Sequence, residues 1–282
     1  MIARAGLLLL LNVAIANLAV ANELAAALRA CNLAQVENYV ARGLPIPREV
    51  DGKSPLVFCH REPAIVRALL VGKAAVRPAS FQLLIPPIWG GNQVQWLSIL
   101  HLYLQHDLDL NARGPIGETA VFHLAGQSAN GVSVLQELLR QGADANLTAN
   151  NGDTPLQNAV RYDHLVNAQL LLLHGADVQT VNKNGQTALE IALLWRPKPN
   201  PAMAELLVEH GANPNQRVRL ATSAKATQPL LHGLIRSKRY ESVKLLMRLG
   251  AEPQQTDSEQ QTAVDVARAS GDPLLLRAVQ SN

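Results

Sequence analysis

Apolar residues along this chain return at helical intervals, in short paired bursts separated by polar turns. Leu135, Leu138 and Leu139, then Ala168, Leu171 and Leu172, then Val243, Leu246 and Met247 each fall on one face of a helix with about 3.6 residues per turn. Gly142, Gly175, Gly211 and Gly250 close such stretches, at spacings of 33, 36 and 39 residues. A glycine there accepts the left-handed backbone that ends a helix, and the Asp-x-Asn type of sequence after it leads into a turn. At the other end of a unit, Thr154 is placed to cap a helix whose first turn holds Pro155, where a missing N–H costs nothing. Leu156 and Ala159 then point inward.

Two phrases recur in a fixed order. The first is Gly142-Ala143-Asp144-Ala145-Asn146, with variants beginning at Gly175, Gly211 and Gly250. The second is Gly152-Asp153-Thr154-Pro155-Leu156, repeated from Gly117 and Gly185 and degraded at Gln228-Pro229-Leu230 and Gln261-Thr262-Ala263-Val264. Weaker counterparts at Gly43, Lys73 and Asp107 keep the phase at intervals of 30, 34 and 35. In these phrases the chain resembles the ankyrin-repeat family. The resemblance implies an all-α solenoid of helix-turn-helix units joined by hairpin loops. About eight units fit between Glu23 and Val279, the end ones being caps that turn a more polar face to water. The family often writes His after Thr-Pro-Leu; here Val57, Phe122, Gln157, Glu190, Leu231 and Asp265 are read into that place.

The resemblance also implies where a protein partner would touch, namely hairpin tips and the inner face of each first helix. By position these are Thr148, Asn150, Asn151 and Asp153 in one repeat, and Thr180, Asn182, Lys183 and Gln186 in the next, with Gln157, Arg161, Glu190 and Asp265 on the helices.

Residues 1–21 depart from this pattern. A short start with Arg4 leads into an apolar run and a small-x-small exit at Ala19-Val20-Ala21, the layout of a secretory signal peptide with Asn22 as the new terminus. An uncleaved anchor and an apolar capping helix are the alternatives; against an anchor, the run is short and holds Asn12 and Asn17. The domain reading is therefore 1–21 as signal or anchor and 22–282 as repeats, in a periplasmic or secreted protein expected to be monomeric. Cys31 and Cys59, the two cysteines, would be free to pair after export, but a small buried Cys59 without a bridge is the favoured reading.

Composition narrows the function. A chain with 48% hydrophobic and 17% charged residues buries a core and is not disordered, while 4% aromatics fits Leu- and Ala-filled helical stacks. Asp51-Gly52-Lys53-Ser54 ends like a phosphate-binding loop, but Pro47 stands where its first glycine should be. His174 and His210 occupy equivalent places in successive repeats, roughly 10 Å apart, too far to share one metal ion. No serine lies in a nucleophile elbow. Catalysis, cofactors and metals are not expected.

Three stretches break the repeat length, 77–92, 195–201 and 216–227, and inserts in such arrays form loops on one face. They hold Trp89 and Trp195, candidate anchors for a partner, with packing on their own repeats as the alternative. Charge is uneven as well: residues 92–195 carry 4 basic and 9 acidic groups, residues 196–248 carry 10 and 3. Arg196, Lys198, Arg217, Arg219, Lys225, Arg236, Lys238 and Arg239 belong to that basic stretch, which is read as suited to an acidic protein, an anionic membrane surface or nucleic acid, or as a solvated face. Nucleic acid is not expected of an exported chain, and membrane contact only if residues 1–21 are retained.

Overall fold

The computed structural model describes residues 20–59, 62–76, 80–84, 93–127, 131–220 and 223–280. Two compact units divide the chain, residues 1–114 and 115–282.

The first unit holds α1 (20–29), α2 (Leu33–Ala41), α3 (Pro55–Phe58), α4 (Pro63–Val71), α5 (Ser80–Leu84) and α6 (Gln93–Leu104). Its core gathers Leu24 and Leu28 of α1 with Val36, Tyr39, Leu56, Ile65, Leu69 and Tyr103, all almost fully buried. Asn32 caps α2 by accepting the Gln35 N–H at 3.2 Å. Reciprocal bonds between Val50 and Lys53 close a tight hairpin through Asp51 and Gly52, so the phosphate-loop-like stretch is a repeat's finger. The turns at Gly43, Lys73 and Asp107 all have positive φ, which keeps the phase of the helix-ending glycines even where the residue is not glycine.

Cys31 and Cys59 form a disulfide with Cα atoms 5.7 Å apart. This corrects the free-thiol expectation. The two residues follow the C-terminal ends of α1 and α3, which parallel stacking of successive first helices brings together, a proximity invisible at a sequence separation of 28.

The second unit contains α7 (Ala120–Ala125), α8 (Val132–Arg140), α9 (Pro155–Tyr162), α10 (Leu165–Leu173), α11 (Ala188–Leu194), α12 (Pro201–Glu209), α13 (Leu230–Arg236), α14 (Tyr240–Arg248), α15 (Ala263–Ala269) and α16 (Pro273–Gln280). Each odd-numbered helix packs on its even-numbered partner and on the next odd-numbered helix. Counting both units, eight helix pairs occur among the described residues. Thr119, Thr154, Thr187 and Thr262 cap the first helices through their hydroxyls, and Thr154 with Gln157 completes a capping box. The apolar faces of α8, α10 and α14 named above are buried throughout, each fully buried leucine contributing about 2 kcal/mol of transfer free energy.

Two positions need glycine for different reasons. Gly175 ends α10 with φ +82° and has open space around it, so only backbone conformation demands it. At Gly152, φ is +80° and an added Cβ would lie 2.7 Å from the Lys183 backbone nitrogen, so successive fingers touch there.

The described parts of two inserts are tied to regular elements. In the 216–227 stretch, read as irregular, β1 (Arg217–Leu220) pairs antiparallel with β2 (Ser223–Pro229), Val218 opposite Gln228 and Arg219 opposite Thr227. The 195–201 stretch is tied down by Asn200, which caps α12 and donates to Asp163 at 2.8 Å, and by Arg239, which donates to the Arg196 carbonyl. In the 77–92 stretch, α5 is described; Trp89 lies outside the described residues.

Candidate functional site

The stack is joined by side chains at equivalent places. In the repeat of α9, Asn151 donates to Asp153 at 2.7 Å, Arg161 donates to both carboxylate oxygens of Asp153, and Asn182 from the next finger reaches the same carboxylate at 2.7 Å. Gln157, third in its helix, accepts the Thr154 N–H and donates onward to the carbonyls of Thr180 and Gln186 at 2.8 and 2.9 Å.

Two repeats later the same joint is built from other residues. Arg236, at the place of Arg161, donates to Gln228 and to Asp257 of the next finger, the latter at 2.6 Å. Burial pulls the Asp257 carboxyl upward, but the guanidinium and the backbone N–H groups of Gln261 and Glu259 outweigh it and hold the group below the ordinary carboxylate range. His232 stands at the place of Gln157 and donates through Nε2 to the Gln261 carbonyl at 2.9 Å. Its Nδ1 is buried without a partner, and desolvation lowers its pKa, which favours the neutral ring. The sequence register at this repeat was thus one residue off: α13 is capped from Pro229, and His232, not Leu231, takes the position after the Thr-Pro-Leu phrase.

Between these two joints lies a repeat that completes neither. In α11 the third position is Glu190 and the place of Arg161 and Arg236 is Leu194. Glu190 is 8% exposed and its Oε2 has no hydrogen-bond partner. Burial pushes its pKa up to about 7, opposed by a hydrogen bond with Gln186. Beside it opens a cleft of about 720 Å³ running from Leu194 along Gly233 and Arg236 to Asp257 and Glu259, with Val218 and Arg219 of the hairpin on another side. Trp195 follows Leu194. It is 56% exposed, and the Arg161 guanidinium sits 4.4 Å from its ring centroid, a contact worth about 1 kcal/mol at such a site.

The candidate residues read from sequence divide accordingly. Asp153, Gln157, Asn182 and Glu190 are buried, the first three holding repeats together. Arg161 is half-buried between Asp153 and Trp195. Thr148, Thr180 and Gln186 are partly exposed, while Asn150, Asn151 and Lys183 are exposed on the fingers. Arg196, Lys198, Arg217 and Arg219 are exposed; Arg217 is tied to Thr227 and to the Thr256 carbonyl, whereas Arg219 lines the cleft. Asp265 completes a capping box with Thr262 and holds Arg268. The structure therefore brings Glu190 and Arg219 together around one cleft, while Trp195 directly follows Leu194 of its wall. Arg236 belongs to the basic stretch read from sequence, but its pairing with Asp257 is not legible there, and Asp257 and Glu259 were missed; the offset shared by Arg161 and Arg236 carried the signal, hidden by the one-residue register error. His174 and His210 are exposed at the ends of α10 and α12, and among the described residues no three potential metal ligands cluster.

These features define a stacked helical-repeat protein with an open polar cleft on its second unit. Residues 122–218 match the family of Ankyrin repeats (3 copies), so that segment carries ankyrin repeats, and the helix pairs of the second unit pack on one another as such repeats do. Among solved structures, the chain is similar to the complex of a predatory endopeptidase from Bdellovibrio bacteriovorus with an immunity protein, at 23% identity and a TM-score of 0.50, covering 66% of this chain and 92% of the matched one. That likeness concerns the fold. No curated protein matches the chain.

Proposed function

We propose that the chain is a non-catalytic protein-binding module whose partner docks on the second unit, across the fingers and the cleft beside α11 and α13. The exposed Trp195, held against Arg161 on a framework whose other polar groups are largely used between repeats, carries this reading. Tryptophan is enriched among residues that dominate binding energy, and a preformed surface limits the ordering entropy that opposes association. Asn150, Asn151, Lys183, Arg196, Lys198 and Arg219 would form the polar surround.

The compartment we propose is the periplasm or the exterior, with residues 1–21 removed as a signal. Support comes from the Cys31–Cys59 bridge, which forms and persists in oxidising compartments. Among the described residues no helix is long and apolar enough to cross a membrane. A narrower reading makes the module an inhibitor that neutralises an effector enzyme; what favours it is the fold shared with a structure solved as an endopeptidase with an immunity protein. A cytosolic or host-directed adaptor that keeps its apolar N-terminus is the alternative.

Capture with tagged protein from separated compartments, read by mass spectrometry, tests both claims. A mature chain starting at Asn22, with a stoichiometric partner lost in Trp195→Ala, is the expected result. Retention of Met1 would overturn export, and a partner held equally by Trp195→Ala would overturn the placement of the surface.

A further inference from the structure

We propose that the cleft beside α11 is a seat for an arginine side chain of the bound polypeptide, whose guanidinium meets the Glu190 carboxylate. This rests on the protein-binding reading and names the chemistry of one contact within it.

The argument comes from comparing three equivalent joints. In two of them a guanidinium of the chain itself lies at the end of the first helix and meets a carboxylate, Arg161 on Asp153 and Arg236 on Asp257. At the joint between them the helix offers Leu194 in place of arginine, and a carboxylate, Glu190, stands instead at the third helix position that Gln157 and His232 fill in the other two. Glu190 is more than nine-tenths buried and lines the cleft, and its Oε2 has no hydrogen-bond partner. A buried carboxylate oxygen left this way is costly unless something answers it.

Space and charge agree. The position filled by Asn158 in α9 and by Ile191 in α11 is Gly233 in α13, so no side chain from that position enters the cleft that Glu190 lines. Four other charged groups face the cleft. Arg236 and Asp257 bind one another at 2.6 Å, leaving Arg219 against Glu259 and Glu190, an excess of one negative charge when Glu190 is ionised. Leu194 and Val218 supply apolar wall for the three methylenes of an incoming arginine, and guanidinium with carboxylate forms the directional, bidentate pair that its planar donors permit.

The test uses the full chain and N-acetyl-arginine amide as the probe, followed by 1H–15N chemical shifts, with N-acetyl-citrulline amide as the uncharged isostere and free arginine as the small-molecule form. The arginine amide is expected to shift resonances around α11 and α13, to bind about tenfold more tightly than the citrulline amide, and to tighten between about pH 6 and about pH 8 as Glu190 ionises. Glu190→Gln should remove the preference and the pH dependence. Leu194→Arg, which places a guanidinium in cis, should block the probe while the chain stays folded. Equal binding of the citrulline amide, unchanged binding by both variants, or absence of shifts at the cleft would overturn the seat. Tighter binding of free arginine would overturn the polypeptide origin. If the probe fails while partner capture still depends on Trp195, the arginine seat falls and the protein-binding reading stands.

Discussion

In the unit of residues 1–114, a disulfide and exposed ion pairs occupy the role that buried amides and a half-buried guanidinium fill in residues 115–282. Arg29 meets Asp51 through two bonds of 2.9 Å, and Arg42 meets Glu23, both pairs about half exposed and therefore weak. The Cys31–Cys59 bridge adds a connection that does not depend on solvent. In the second unit, Asp153 gathers Asn151, Arg161 and Asn182 while Gln157 links one finger to the next. Where the repeat phrase is degraded a covalent staple holds the helices; where the phrase is intact, its own polar residues do.

The largest break in this comparison comes from the staple. Replacing both cysteines by serine, or reducing the bridge, removes the constraint on a 28-residue separation and is expected to cost about 3.5 kcal/mol, with hydrogen exchange rising in α1 to α4 and not in α9 to α14. A change confined to the second unit would break the contrast. Next, Asp153→Ala should cost about 3 kcal/mol, because it leaves the Arg161 guanidinium, whose side chain is 15% exposed, without its carboxylate; urea denaturation would measure it. Asp153→Asn, which keeps an acceptor, should cost less.

A smaller effect has the opposite sign. Glu190 has a folded-state pKa of about 7 against an ordinary 4.5, so the folded chain keeps a proton that the unfolded chain releases between those values. Its contribution is fully present below pH 4.5 and is lost as pH rises through 7. Glu190→Gln should therefore match the native chain in acid and exceed it by about 2 kcal/mol above pH 8, a figure reduced from the full shift for residual solvent screening. Equal stability curves across this range would mean that Glu190 is answered in solution. Smallest is Thr154→Ala, which removes a capping box for about 1 kcal/mol, seen as a modest fall in melting temperature.

Periodicity made the helix pairs legible. Leu135, Leu171 and Leu246 were read as core and are fully buried, and the glycines at 142, 175, 211 and 250 were read as helix ends and have left-handed φ. The candidate site was legible in part. Trp195 and Arg219 stood out because they sit in inserts, yet Gln157 and Asn182 look from sequence like surface residues and are internal joints. A polar side chain on a repeat is equally consistent with facing a partner and with facing the next repeat, and spacing alone does not separate the two.

The sequence by itself determined the repeat period, the helix caps and the apolar stripes, because each depends on residues within a few positions of one another. Tertiary structure alone decided three things. It paired Cys31 with Cys59, formed the hairpin of Arg217–Leu220 with Ser223–Pro229, and buried Glu190 beside a cleft shared with Leu194. Each depends on which side chains the stacking of separate repeats brings within contact, and that proximity follows from packing in three dimensions.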